Sequence, residues 1–198
     1  MLKVGITGGI GSGKTTVAKV FSWLGIPIYN ADEKSKFLLQ DNEHIKNHVI
    51  EIFGNSIYPD GKLDRKTLGA MVFNDPRKLK QLESILHPAV RKDYTYWANE
   101  NEKSPYTIKE AALLFEAGSY KELDLIIFVK APLAVRLERV MSRDDLRADA
   151  VMSRINKQWP DEEKEKLSGY KILNDDSELV MLQVVNLHKK LLGMASKD

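Results

Sequence analysis

Residues 2–16, Leu-Lys-Val-Gly-Ile-Thr-Gly-Gly-Ile-Gly-Ser-Gly-Lys-Thr-Thr, constrain this chain more than any other stretch. Leu2, Val4 and Ile6 alternate with Lys3, Gly5 and Thr7, short and apolar enough for a central strand. Gly8, Gly13, Lys14 and Thr15 then satisfy G-x-x-x-x-G-K-[ST], and Thr15-Thr16-Val17-Ala18-Lys19-Val20-Phe21 opens a helix. Strand, glycine loop and helix in that order turn a pattern match into a phosphate site. Gly8, Gly9, Gly11 and Gly13, with Ser12 among them, let the backbone wrap closely around a phosphate with its N–H groups inward. The free amides of the new helix, through Thr15 and Thr16, and its dipole add to that field. Lys14 supplies a mobile positive charge for the β- and γ-phosphates, and the Thr15 hydroxyl is a candidate Mg²⁺ ligand. A glycine-rich turn with a solvated lysine is the alternative, and the flanking strand and helix argue against it. The stretch reads as a nucleotide-binding site.

The totals narrow the classes that remain. A chain of 198 residues is one large domain or a core with modest insertions. Thirty basic against 28 acidic residues leave a net charge of +2, no large basic field and no expectation of a nucleic-acid partner. No apolar run approaches the ~18 residues of a membrane span, and the first residues lead into a strand rather than a signal peptide. The absence of cysteine excludes disulfides and thiolate metal sites and fits a reducing compartment. The expectation is a soluble, cytoplasmic protein with no membrane partner. His44 and His48 stand at i, i+4 but lack an intervening glutamate or a third ligand, so they read as surface histidines.

Along the chain, the first helix runs to about Leu24 with Gly25 as its stop, and Ile26–Tyr29 is a second strand. Asn30 is placed to cap the next helix, with Glu33 as its reciprocal partner. Asp32 then falls in the first turn, beside the carboxyl end of a strand adjoining the phosphate loop, where open α/β sheets bind ligands. Position alone equally allows that Asp32 only complements the helix dipole.

Residues 31–104 read as helical. Asn42–Phe53 is amphipathic and ended by Gly54, and Asn55–Leu63 is a turn region. Asp64 and Asp75 are N-caps, the latter followed by Pro76. Leu79, Leu82, Ile85 and Leu86 form a stripe up to His87-Pro88. A further helix, Pro88–Asn101, carries Arg91, Tyr94 and Trp97, whose aromatics serve either packing or a ligand face. Helices inserted between strands read as a substrate-binding subdomain.

Tyr106–Glu110 and then Ala111–Phe115 restore a strand pattern, closed by Glu116, and Asp124–Val129 is the best buried strand. A helix from Pro132 to Arg143 spaces Arg136, Arg139 and Arg143 as one solvated face or as part of an arginine-rich lid. Residues 144–168 are charged as a mobile flap is, Tyr170–Leu173 is a last strand, and Ser177–Leu192 a terminal helix before Gly193.

Several pieces then fall into a single order. Gly5-Ile-Thr-Gly-Gly-Ile-Gly-Ser-Gly-Lys14, Ala31-Asp32, Gly61-Lys-Leu-Asp-Arg65 and Leu68 through Val72-Phe73 come first. Leu86-His87-Pro88, Leu113-Leu-Phe-Glu116, Arg136-x-x-Arg139-x-x-x-Arg143, Arg154-x-x-x-Gln158 and Asn174 follow. Together, over nearly the whole chain, they resemble the dephospho-coenzyme A kinase family. That resemblance implies ATP-dependent phosphorylation of the ribose 3′-hydroxyl of dephospho-coenzyme A, with Mg²⁺, the last step of coenzyme A synthesis. It makes Asp32 the candidate general base, with Lys14 and Arg143 at the transferring phosphates. Asp32, His87, Arg91 and Glu116 become acceptor-binding candidates, and Asn174 would lie near the adenine. It also implies a three-layer α/β P-loop kinase fold with a mostly parallel central sheet. In that fold residues 1–30 and 105–198 form the nucleotide-binding core, with a helical lid at about 140–169, and residues 31–104 form a helical acceptor-binding insert.

Three positions depart from the family pattern. Asn30 stands where an aspartate is usual, Ala112 where a proline is usual, and Glu110 at a strand-end acid whose reach to a Mg²⁺-bound water is open. Two rivals remain at this level: another P-loop small-molecule or nucleotide kinase, and a GTPase-like switch. The switch needs a guanine-reading Asn/Thr-Lys-x-Asp, and Asn156-Lys-Gln-Trp159 lacks the acid. A nucleic-acid-binding ATPase is opposed by the charge balance. Nothing in the sequence marks an oligomeric state.

Overall fold

The computed structural model describes residues 1–73 and 75–196. Five short strands pair entirely in parallel: β1 (Leu2–Thr7), β2 (Ile28–Asn30), β3 (Tyr106–Glu110), β4 (Leu125–Lys130) and β5 (Tyr170–Leu173). Their order across the sheet is β2-β3-β1-β4-β5. Parallel neighbours need long crossovers, and those crossovers cover both faces of the sheet. Val4, Ile6, Ile108, Ile127 and Val129 are accordingly inaccessible to water. They share one core with Val17 and Phe21 of α1 (Lys14–Trp23) and with Val184, Leu187 and Leu191 of α9 (Val180–Ala195).

The register fixes what gathers at one edge. Ile6 lies opposite Glu110 and Ile127, and Asn30 lies opposite Glu110. The carboxyl ends of β1, β2, β3 and β4 therefore open on the same side, where the chain leaves β1 as the glycine loop.

The chain divides into two compact units, Met1–Asn30 with Ala98–Asp198, and Ala31–Trp97. The second is built of α2 (Ala31–Asp41), α3 (Glu43–Phe53), α4 (Arg65–Phe73) and the larger part of α5 (Pro76–Glu100). Two of its caps, Asp64 and Asp75, are those the sequence predicts, and Asn42 is a third that the sequence reading did not single out. Asn42 Oδ1 accepts from Ile45 N at 3.1 Å, Asp64 Oδ1 from Thr67 N at 3.1 Å, and Asp75 Oδ1 from Arg77 N at 2.9 Å. Ile45, Val49 and Phe53 form the buried face of α3.

Four expectations are corrected. The helix expected to end at His87-Pro88 continues, and α5 carries Pro88 inside it. A mid-helix proline costs about 3 kcal/mol, a local penalty that the buried stripe of Leu82, Val90 and Tyr94 on either side outweighs. Ala111–Phe115 is a turn, not a strand: Ala117 N donates to Leu113 O and Gly118 N to Phe115 O, while Leu114 and Phe115 are buried. That segment has no β-branched residue to favour extension. The terminal helix begins at Val180 rather than Ser177, because Asp175 Oδ1 accepts from Ser177 N in a tight turn, and it runs through Gly193. The second strand starts at Ile28, two residues after its expected start.

Candidate active site

The glycine loop is shaped by contacts a side chain would destroy. Gly11 and Gly13 sit at φ +80° and +86°, where an L-residue is strained. A Cβ on Gly11 would lie 2.6 Å from Arg136 O, and one on Gly13 would strike the Asn174 amide. Within the loop Ser12 N donates to Gly9 O at 3.1 Å. Lys14, only 9% exposed, reaches back over the loop and donates from Nζ to Gly8 O at 3.0 Å and Gly9 O at 3.2 Å. Two carboxamides grip the loop from outside. Gln158 Oε1 accepts from Ile10 N at 2.8 Å, and Asn174 Nδ2 donates to Ser12 O at 2.8 Å.

Beside the loop, the Thr15 hydroxyl donates to Glu110 Oε1 at 2.6 Å, and Asn30 Nδ2 donates to Glu110 Oε2 at 3.3 Å. Glu110 is 4% exposed, and its carboxylate collects donors from α1 and β2. Loop amides, a lysine at the mouth and a hydroxyl–carboxylate pair at the helix start form an anion site with hard oxygen ligands beside it. Among the described residues no cluster of three or more His, Cys, Asp or Glu could hold a metal on its own.

Comparison with known proteins identifies the family of this phosphate site. The dephospho-CoA kinase family model matches residues 2–179. The chain belongs to the dephospho-CoA kinase family. It is therefore a phosphotransferase of the P-loop kinase fold, and the reaction of its family is the ATP-dependent phosphorylation of dephospho-coenzyme A. A dephospho-CoA kinase of Bacteroides fragilis is 34% identical over 186 residues, 94% of this chain and 91% of the relative. Of solved structures, TT1252 from Thermus thermophilus is 34% identical with a TM-score of 0.83, covering 96% of each chain. The dephospho-CoA kinase from Campylobacter jejuni is 28% identical with a TM-score of 0.72, covering 96% of this chain and 97% of that one.

In this member of the dephospho-CoA kinase family the arginine helix α6 (Leu133–Asp144) does not carry one solvated face. Arg136 is 5% exposed and meets Asp161 Oδ2 at 2.9 Å. Arg139 Nη1 donates to Asn174 O at 3.0 Å. Arg143 is exposed and donates twice to Asp144, at 2.7 and 3.1 Å, and Arg154 Nη1 donates to Asp144 Oδ2 at 3.2 Å. Those bonds, Arg143 first, hold the Asp144 carboxyl below its ordinary range, and the same contact raises the Arg143 pKa.

The charged stretch expected as a flap is two helices, α7 (Ala148–Ile155) and α8 (Asp161–Lys166). Its latter part is anchored to the core. Trp159 N donates to Glu116 Oε1 at 2.8 Å, Lys164 is fully buried and pairs with the same oxygen at 2.8 Å, and the Trp159 and Phe115 rings stack at 6.1 Å. Glu116 thus has structural partners in addition to its expected role.

The geometry brings Gly8, Gly9, Gly11, Ser12, Gly13, Lys14, Thr15 and Asn174 together, with the exposed Thr16 next in α1. Asn174 holds the loop at Ser12. Asp32, His87 and Arg91 belong to the other unit. Asp32 is the second residue of α2, which follows β2 without a break, while His87 and Arg91 are one turn apart on α5. Motif reading alone gave no part in holding the loop to Gln158, Arg136 and Asp161. Gln158 and Arg136 stand at motif positions, but their partners lie far away in sequence.

Proposed function

We propose that this chain transfers the γ-phosphoryl group of ATP to the ribose 3′-hydroxyl of dephospho-coenzyme A with Mg²⁺, using Asp32 as the base. The single observation that carries the reading is the amide-lined loop crossed by Lys14 and flanked by the Thr15–Glu110 pair. Phosphoryl transfer has a loose transition state, so positioning and charge neutralisation supply most of the rate. With Ile10 N held by Gln158 and Ser12 N by Gly9 O, the other loop amides and the Lys14 ammonium bind and orient the β- and γ-phosphates. Thr15, its hydroxyl donating a hydrogen bond to Glu110, would present oxygen lone pairs to the cation. When bound, Mg²⁺ supplies neutralisation of the phosphate charge.

Asp32 accepts a hydrogen bond from the 3′-hydroxyl and takes its proton as the new P–O bond forms. His87 and Arg91, with Glu116, hold the acceptor. Arg143 closes over the γ-phosphate and keeps water from competing. Asn174 supports the adenine end of the site. The Ala31–Trp97 unit is the acceptor-binding subdomain, and residues 140–169 carry the lid.

No described helix is long and apolar enough to cross a membrane, and the chain holds no cysteine. The reading is of a cytoplasmic enzyme acting on a small molecule, and the near balance of 30 basic against 28 acidic residues argues against a nucleic-acid partner.

The test is incubation with Mg-ATP and dephospho-coenzyme A, read by mass spectrometry for an acceptor heavier by one phosphate. A panel of nucleotides, sugars and shikimate in its place should remain unmodified. Phosphorylation of one of those instead would overturn the assignment.

A further inference from the structure

The Gly9–Ile10 peptide is gripped on both edges. A trans peptide points its C=O and N–H in opposite directions, so fixing one fixes the other. Its N–H, on Ile10, donates to Gln158 Oε1 at 2.8 Å. Its C=O, on Gly9, accepts from Ser12 N at 3.1 Å and from Lys14 Nζ at 3.2 Å. Gln158 is itself held: its Nε2 donates to Ala112 O at 3.4 Å, and the next residue, Trp159, is tied to Glu116 and stacked on Phe115. The pair of Asp161 with the buried Arg136 lies under Gly9, where a Cβ would meet the guanidinium.

We propose that Gln158 is a positioning residue for phosphate binding, acting through the Gly9–Ile10 peptide to place the Gly9 carbonyl and, with it, the Lys14 ammonium. Gln158 touches no reacting atom. It stands between α7 and α8, at the point where the charged segment becomes anchored to the core, so the attachment of that segment and the aim of the lysine share one side chain. This rests on the reading that the loop holds the phosphates of ATP.

The test compares the full-length wild type with Gln158→Met, which keeps length and removes both hydrogen bonds. Loss of one part-buried hydrogen bond acting on bound phosphate should raise KM for ATP about tenfold. KM for dephospho-coenzyme A should stay within about twofold and kcat within about threefold. The dissociation constant of a fluorescent ADP analogue, which needs no acceptor, should rise in parallel. Gln158→Ala provides a second variant should the methionine pack badly, and a thermal melt of each verifies the fold. An unchanged KM for ATP with unchanged ADP-analogue binding would overturn the proposal, as would equal losses for both substrates tracking a lowered melting temperature. A wild type that binds the ADP analogue but does not phosphorylate dephospho-coenzyme A would count against the proposed function instead, and the binding ratio of the two proteins would still judge Gln158.

Discussion

Thr15 and Glu110 stand 95 residues apart in sequence and 2.6 Å apart in space, the hydroxyl donating to the carboxylate. A hydroxyl that donates a hydrogen bond to a carboxylate turns its lone pairs outward, toward a hard cation. The carboxylate therefore orients the ligand from behind. Outer partners of this kind are typically worth 10–100-fold in metal affinity or activity. Glu110→Gln should raise the Mg²⁺ concentration for half-maximal activity by about that factor. A Mg²⁺ titration with no displacement removes Glu110 from this role.

Asp32 is the residue whose loss should fall on the acceptor and its deprotonation rather than on nucleotide binding. Asp32→Asn should lower kcat by about 10²–10⁴, or about 3–5 kcal/mol, with ATP affinity little changed. Single-turnover transfer and nucleotide binding measured side by side check this. A near-normal kcat excludes it as the base.

Arg143 is held in its exposed position by two hydrogen bonds to Asp144. Truncation to alanine should cost about 10²-fold in kcat, the size typical of one lost donor to a developing charge. Steady-state turnover of Arg143→Ala reads this directly, and unaltered turnover refutes the lid assignment.

The Glu116–Lys164 pair makes a prediction about stability. Lys164 is 0% exposed, and Glu116 Oε1 lies 2.8 Å away. Glu116→Gln leaves the ammonium buried without its counter-charge, which typically costs about 3–5 kcal/mol. Urea unfolding of the variant measures it. A loss below about 1 kcal/mol would mean that other contacts fix α8 to the core.

His188 gives a pH signature. Its Nδ1 meets the Tyr106 hydroxyl at 2.6 Å, and burial holds the imidazole pKa below its ordinary value while pushing the Tyr106 pKa up. Its unfolded form takes a proton first as pH falls, so stability is present above about pH 6.5 and is lost as pH drops through the folded pKa. His188→Gln, which still offers an acceptor to Tyr106, should flatten that part of the curve. Urea midpoints for both proteins between pH 7.5 and 5 check it, and identical slopes would remove His188 from the effect.

What the sequence reveals divides by distance along the chain. Strand β1, its loop and α1 were legible because glycine spacing and alternation are local, and the caps Asp64 and Asp75 for the same reason. Pro88 misled because a local penalty is set against a stripe extending from Leu82 to Tyr94. Ala111–Phe115 misled because apolar residues in a buried turn carry the same pattern as a short strand. Lys164 reads as flap charge, and only its pairing with Glu116, 48 residues earlier, makes it an anchor. Gln158 lies 148 residues beyond Ile10, and no periodicity connects such a pair.

The sheet order also has a consequence for how the molecule comes into being. Strand β1 has neighbours on both sides, β3 and β4, that are not made until residues 106–130. During translation the phosphate-binding segment must wait, half-clothed, until the chain has been made as far as Lys130. Contacts so remote in sequence slow folding and lengthen the exposure of bare strand edges, so a nascent chain halted before β4 should still be unable to retain a nucleotide.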